Sequence, residues 1–148
     1  MKNMKRLKHF QVWILGLTLV LTACSGNSEK VDEFNELFGQ VMQVHDEVMP
    51  KMGEVQSLSA QLKTIADTTA NKATYDAALA QLKEADEDME AWMMQFADTF
   101  IPIKNKVNSM SEQEIDAALA DLKAELEEVN QVKASINASI DKATPLVQ

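Results

Sequence analysis

Three stretches of the chain carry apolar residues at alternating spacings of three and four, which is the pattern of amphipathic helices. The first two stretches are separated by a polar turn at Asp67–Asn71, and the last two by residues 103–110. No stretch alternates apolar and polar residues as a half-buried strand does. The pattern predicts an all-α fold over residues 30–148, most simply an antiparallel up-down-up three-helix bundle with long amphipathic helices.

The first stretch is expected to begin near Glu29 or Lys30 and to reach Ala66. Pro50 lies inside it, has no amide hydrogen for the preceding turn, and costs about 3 kcal/mol in a helix interior. The apolar spacing nevertheless continues through Pro50 without a change of phase, so we predict a single helix that is kinked there. The alternative is a break at Met49, because the residue before a proline prefers extended backbone.

The second stretch begins between Lys72 and Thr74, and Pro102 is expected to end it. The third opens with the sequence Ser-Glu-Gln-Glu at 111–114, which matches a capping box before an apolar run. We expect the third helix to end before Pro145, because proline cannot continue the hydrogen-bonded turn.

The N-terminus has the features of a bacterial lipoprotein leader. Residues 1–23 combine a basic start with an apolar core at Val12–Val20, which is too short to span a membrane. Cys24 follows Leu-Thr-Ala, which resembles a lipobox; the alternative is an ordinary signal peptide with an incidental cysteine. We expect cleavage before Cys24, lipidation of its thiol, a tether over 24–29, and attachment to the cell envelope, with the outer membrane favoured.

The charge and the cysteine content of the chain argue against several classes of function. The leader contains four basic residues and no acidic one, so its loss takes the formal charge from −9 to −13. Such a chain is a poor ligand for nucleic acid and for anionic lipid. Because Cys24 is the only cysteine, an intramolecular disulfide, a Cys-x-x-Cys redox site and a cysteine-rich zinc site are excluded.

An antiparallel register between the first two helices pairs residues whose numbers sum to about 140. One layer then contains both His45 and Trp92, and we expect Trp92 to be a buried core anchor. The same register predicts a cluster of imidazole and thioether groups, which suits a soft ion such as Cu(I). The candidate ligands are His45, Met49, Met52, Met89 and Met93.

Three interpretations of this layer compete. Methionine fills irregular gaps in cores, so simple packing without a cofactor is the first. A Cu(I) site is the second. Haem with His and Met ligands is the third, although three helices leave little room for a porphyrin and no Cys-x-x-Cys-His motif occurs.

The sequence gives little indication of an enzyme. It has no His-Glu-x-x-His motif and no phosphate-binding loop. His45 and Asp46 are helical neighbours, whose side chains are expected to point in different directions and to form no dyad. We therefore expect a structural or interaction protein that binds another envelope protein, and an exposed Met94 would favour this interpretation.

The string His-Asp-Glu-Val-Met-Pro-Lys-Met at 45–52, the lipobox cysteine and the pair Trp92-Met93 resemble a group of small lipoproteins of Bacteroidota-type bacteria. Some of these are labelled after viral A-type inclusion proteins, through generic helical similarity. The resemblance extends over about residues 34–100. It implies no established activity, but it makes a special role for His45, Met49, Pro50 and Met52 more plausible.

Overall fold

A computed structural model describes the backbone of residues 23–148 and the side chains from residue 27 onward. Three long helices and two short 3-10 turns make up this part of the chain, which contains no strand, so the all-α prediction is confirmed. The long helices are α1 (Ala23–Ala66), α2 (Lys72–Lys106) and α3 (Glu112–Ala143), and the 3-10 turns are Val107–Ser109 and Thr144–Leu146.

Helix α1 begins earlier than expected and is continuous through Pro50. The backbone of residues 24–29, expected to be a tether, is helical, and the Asn27 Nδ2 group donates to the Met110 carbonyl at 3.3 Å. This contact joins the first turns of α1 to the α2–α3 connection, which helps to order the segment. The alternative of a break at Met49 is not observed, and the kink at Pro50 stays a prediction.

Helix α2 does not end at Pro102, so that prediction was wrong. The helix continues to Lys106. Pro102 lies in its last turns, where the missing amide costs a single hydrogen bond, to the carbonyl four residues before it. The apolar spacing also continues beyond it, because Phe100 and Val107 are both buried. Burial of these side chains stabilises the helix by more than the missing hydrogen bond at Pro102 costs.

The capping box at the start of α3 is confirmed. Ser111 Oγ accepts from the Glu114 amide at 3.4 Å, while the Ser111 amide donates to the Glu114 carboxylate at 2.8 Å. The hydrogen bonds from the Ser111 side chain and backbone lower the pKa of the exposed Glu114 carboxyl. At the other end α3 stops at Ala143, before Pro145, as expected.

Contacts between helices fix which residues lie at the same height. Between α1 and α2 the residue numbers run in opposite directions, since Lys104 Nζ donates to Asn35 while His45 contacts Met93. Between α1 and α3 the numbers rise together, through the pairs Lys30–Asp116, Glu33–Lys123, Glu47–Lys133 and Lys51–Asn137. The apolar stripes of all three helices meet in one continuous core. Within residues 23–148 no helix is long and apolar enough to cross a membrane.

Candidate functional site

His45 and Met93 are in direct contact between α1 and α2. The His45 Nε2 atom lies 3.4 Å from the Met93 Sδ atom, and both side chains are partly buried. The pair agrees with the register from the sequence, because the two residue numbers sum to nearly 140. A polar ring and a thioether therefore meet at the edge of the core, where both remain accessible from solvent.

His45 also contacts Asp46, contrary to the expectation that these neighbours point apart. The Nδ1 atom of the ring lies 2.9 Å from Asp46 Oδ1. Nδ1 is attached close to the Cβ atom of histidine, so a short aspartate side chain on the next residue can reach it despite the turn of the helix. Asp46 is exposed, whereas the ring of His45 is mostly covered. The carboxylate therefore holds the ring from the solvent side.

Trp92 lies beneath the histidine and is only 3% exposed. Its ring centroid is 5.9 Å from that of His45, and its other neighbour is Phe96, stacked at 5.0 Å. The indole Nε1–H donates to Glu125 Oε2 at 3.0 Å. Trp92 therefore joins the His45 side of the bundle to a carboxylate on α3.

Glu125 is a buried acid that the sequence interpretation missed. It is 7% exposed, and its second oxygen accepts from Gln95 Nε2 at 3.5 Å. Burial raises the pKa of the Glu125 carboxyl, and the charge of Glu128 raises it further, while the two hydrogen bonds act in the opposite direction. A signal existed in the sequence: Glu125 lies three residues after Leu122 and four before Val129, which places it on the apolar stripe.

The predicted metal ligands do not all come together. Met52 and Met89 are buried in the core, whereas Met49 is 36% exposed. His45 and Met93 form the only contact of a ring nitrogen with sulfur among the described side chains. No group of three or more His, Cys, Asp or Glu side chains in the described region is arranged around a metal position, and that finding does not concern thioethers.

A shallow groove of about 370 Å³ lies between α2 and α3, and Trp92 is one of the residues that line it. Its lining combines the acidic side chains of Asp88 and Glu128 with the apolar Ala91, Trp92 and Val132. Trp92 and Gln95, the two donors to Glu125, both line this groove, so the buried carboxylate lies close behind its wall.

A second feature lies on the outer surface of α2. Met94 is 59% exposed and Ile101 is 45% exposed, seven positions apart on one helix face. Glu90 and Asp98 are exposed on the same face, one turn from Met94 on either side. We call these four residues the α2 face. It combines apolar side chains with negative charge.

The predicted lipidation site, Cys24, lies outside the described side chains, which begin at residue 27, and the leader also lies outside the described residues. In comparisons with protein-family models, curated proteins and solved structures, the chain shows no match.

Proposed function

We propose that the protein is a lipid-anchored helical bundle of the cell envelope that binds a basic amphipathic segment of another envelope protein on its α2 face. The role is one of interaction rather than catalysis. The observation that carries the proposal is the exposure of Met94 and Ile101 on one side of α2. Both are large apolar side chains, whereas the apolar stripe on the opposite side of α2 is buried in the core.

Charge identifies the chemistry of the partner. Glu90 and Asp98 lie one turn before and one turn after Met94, and neither forms an ion pair within the described residues. Mixed apolar and acidic surfaces suit an amphipathic helix that presents lysine or arginine beside its apolar residues. The same acidic side chains oppose docking on an anionic lipid surface.

The position of the α2 face relative to Cys24 fits a partner at the membrane. Since His45 lies beside Met93, Met94 is at the height of about residue 44 of α1, and Ile101 at about residue 37. At 1.5 Å per residue, these heights lie roughly 20 to 30 Å along α1 from Cys24. An acyl chain on Cys24 would hold the face within reach of proteins at the membrane surface.

Site-specific photo-crosslinking in living cells tests the proposal. The photoreactive residue replaces Ile101 or, as a matched control, Ala124, which is exposed on α3 at nearly the same height. We expect an adduct from position 101 only, whose cross-linked peptide is basic and amphipathic. Met94→Glu should abolish it by placing a charge within the apolar contact. Equal adducts from both positions, or none from position 101, would contradict the proposal.

A further inference from the structure

Both ring nitrogens of His45 face an acceptor. Nδ1 lies 2.9 Å from the Asp46 carboxylate, and Nε2 lies 3.4 Å from the Met93 thioether. A neutral imidazole carries one N–H, and a thioether has no hydrogen to donate. In the neutral ring, one of these two contacts therefore has no hydrogen between its atoms, and their lone pairs face each other.

The carboxylate decides which nitrogen keeps the hydrogen. It is a charged acceptor and forms a much stronger hydrogen bond than a thioether. Nδ1–H consequently donates to Asp46, which leaves the lone pair of Nε2 directed at the lone pairs of Met93 Sδ. A cation between them satisfies both atoms. A carboxylate on one ring nitrogen and a metal on the other is the recurring arrangement of histidine ligands in metal sites.

The distance between the two donor atoms indicates the coordination number. Zinc binds imidazole nitrogen at about 2.0 Å and cysteine sulfur at about 2.3 Å, and we take these lengths as a guide for the ion here. With the two donors 3.4 Å apart, the angle at the ion is roughly 100°. That value is near the tetrahedral angle and far from linear, so the site needs at least one further ligand.

Met49 is the methionine placed to supply it. Met49 lies one turn after His45 on α1, and Met89 lies one turn before Met93 on α2. Because the two helices run in opposite directions, these methionines share the next level of the bundle. Met89 is packed in the core, whereas Met49 is partly exposed and has three rotatable bonds with which to reach the ion. Met52 is buried in the core and is left out of the site.

We infer that His45 Nε2, Met93 Sδ and Met49 Sδ bind Cu(I), with Asp46 as the positioning residue that fixes the ring. Imidazole and thioether are ligands for this soft ion, whereas calcium and magnesium require oxygen. The site is separate from the α2 face, and it differs from the sequence prediction in its smaller ligand set and in the part taken by Asp46.

Competition between the protein and a chromophoric Cu(I) chelator tests the inference on the full chain in detergent. The background carries Cys24→Ser, which removes a competing thiol, and Trp13→Phe, which leaves Trp92 as the only tryptophan. We expect one bound Cu(I) per chain. His45→Ala and Met93→Leu should each weaken binding at least tenfold. Met110→Leu, at the distant α2–α3 connection, should have no effect.

Two further measurements distinguish the loss of a copper ligand from a disruption of the fold. Trp92 fluorescence should change in proportion to bound copper, because the indole lies 5.9 Å from the His45 ring. Asp46→Ala should weaken binding about tenfold through loss of ring orientation, with an unchanged circular dichroism spectrum. If the background protein retains no copper, or if His45→Ala and Met93→Leu bind Cu(I) as tightly as the background protein does, the cluster is packing only.

Discussion

The Trp92 indole donates a hydrogen bond to Glu125 at 3.0 Å across the interior of the bundle. Each group supplies the hydrogen-bond partner that the other requires, because a buried N–H needs an acceptor and a buried carboxylate needs donors. This pair joins α2 to α3 at the level where His45 and Met93 join α1 to α2. Glu125 is the only buried carboxylate of the described residues, and it lies in the same layer as His45.

Truncation of Trp92 should destabilise the fold strongly. We expect Trp92→Ala to lower the free energy of unfolding by about 3–5 kcal/mol, because it leaves a cavity and removes the donor to Glu125. Thermal unfolding followed by circular dichroism measures the change. A loss below about 1 kcal/mol would indicate that the indole is not packed in the core.

Removal of the Glu125 charge should stabilise the protein at neutral pH. Because the fold raises the pKa of this carboxyl, its stabilising contribution is complete below the unfolded pKa near 4.5 and is lost as pH rises through the folded value. Asp121 and Glu128 on α3 add to the penalty. Glu125→Gln keeps an acceptor for Trp92, so its melting temperature should exceed that of wild type at pH 7.

Melting curves at pH 7 and pH 4 complete this test. The difference between Glu125→Gln and wild type should shrink at pH 4, where the wild-type carboxyl gains its proton. Glu127→Gln, exposed on the same helix, is the control and should not produce a gap of this kind. A Glu125→Gln protein that is less stable than wild type at pH 7 would overturn this view of the buried acid.

Gly53 offers a stabilising change near Pro50. A Cβ atom at this position meets nothing within 4 Å, and the helix there is exposed. Alanine removes backbone freedom from the unfolded chain, so Gly53→Ala should raise the free energy of unfolding by about 0.5–1 kcal/mol. Denaturant titration measures it, with Gly39→Ala as the parallel case on the same helix. A destabilised Gly53→Ala protein would mean that the segment after Pro50 needs glycine.

The helices could be predicted because their apolar spacing is regular and their ends carry local signals. The turn at 67–71 and the capping box at Ser111 needed no tertiary information. Pro102 was misjudged because its effect depends on packing from Phe100 to Val107, which a local rule omits. Glu125 was missed because a single acid on an apolar stripe is read as an exposed interruption of that stripe. Only the tertiary structure shows that Trp92 on α2 donates to it and allows its burial.

The candidate site was harder to predict than the fold. The register placed Met93 near the level of His45, since helix spacing determines height along the bundle. Height does not determine which way a side chain points, so Met49 near the surface and Met89 in the core looked alike. The contact between His45 and Asp46 depends on a rotamer, which helical spacing alone does not give.

Lipid modification should depend on Cys24. Cys24→Ser removes the atom that would carry the lipid, so we expect the variant to carry no acyl mass in intact-mass analysis. Intact-mass analysis of the wild-type membrane fraction should show a chain that begins at Cys24 with added acyl mass. An unmodified wild-type chain in the soluble fraction would contradict the anchor.

Oxidation of Met94 is the most direct test of a partner on the α2 face. Mild peroxide is applied to isolated cell membranes and to the purified protein with a copper chelator present, and sulfoxide at each methionine is measured by mass spectrometry. Met49, exposed on α1, and Met89, buried, are internal references for accessible and inaccessible sulfur. We predict that Met94 is oxidised rapidly in the purified protein and is protected in membranes, while Met49 reacts in both. Equal oxidation of Met94 in the two samples would contradict the proposed interaction.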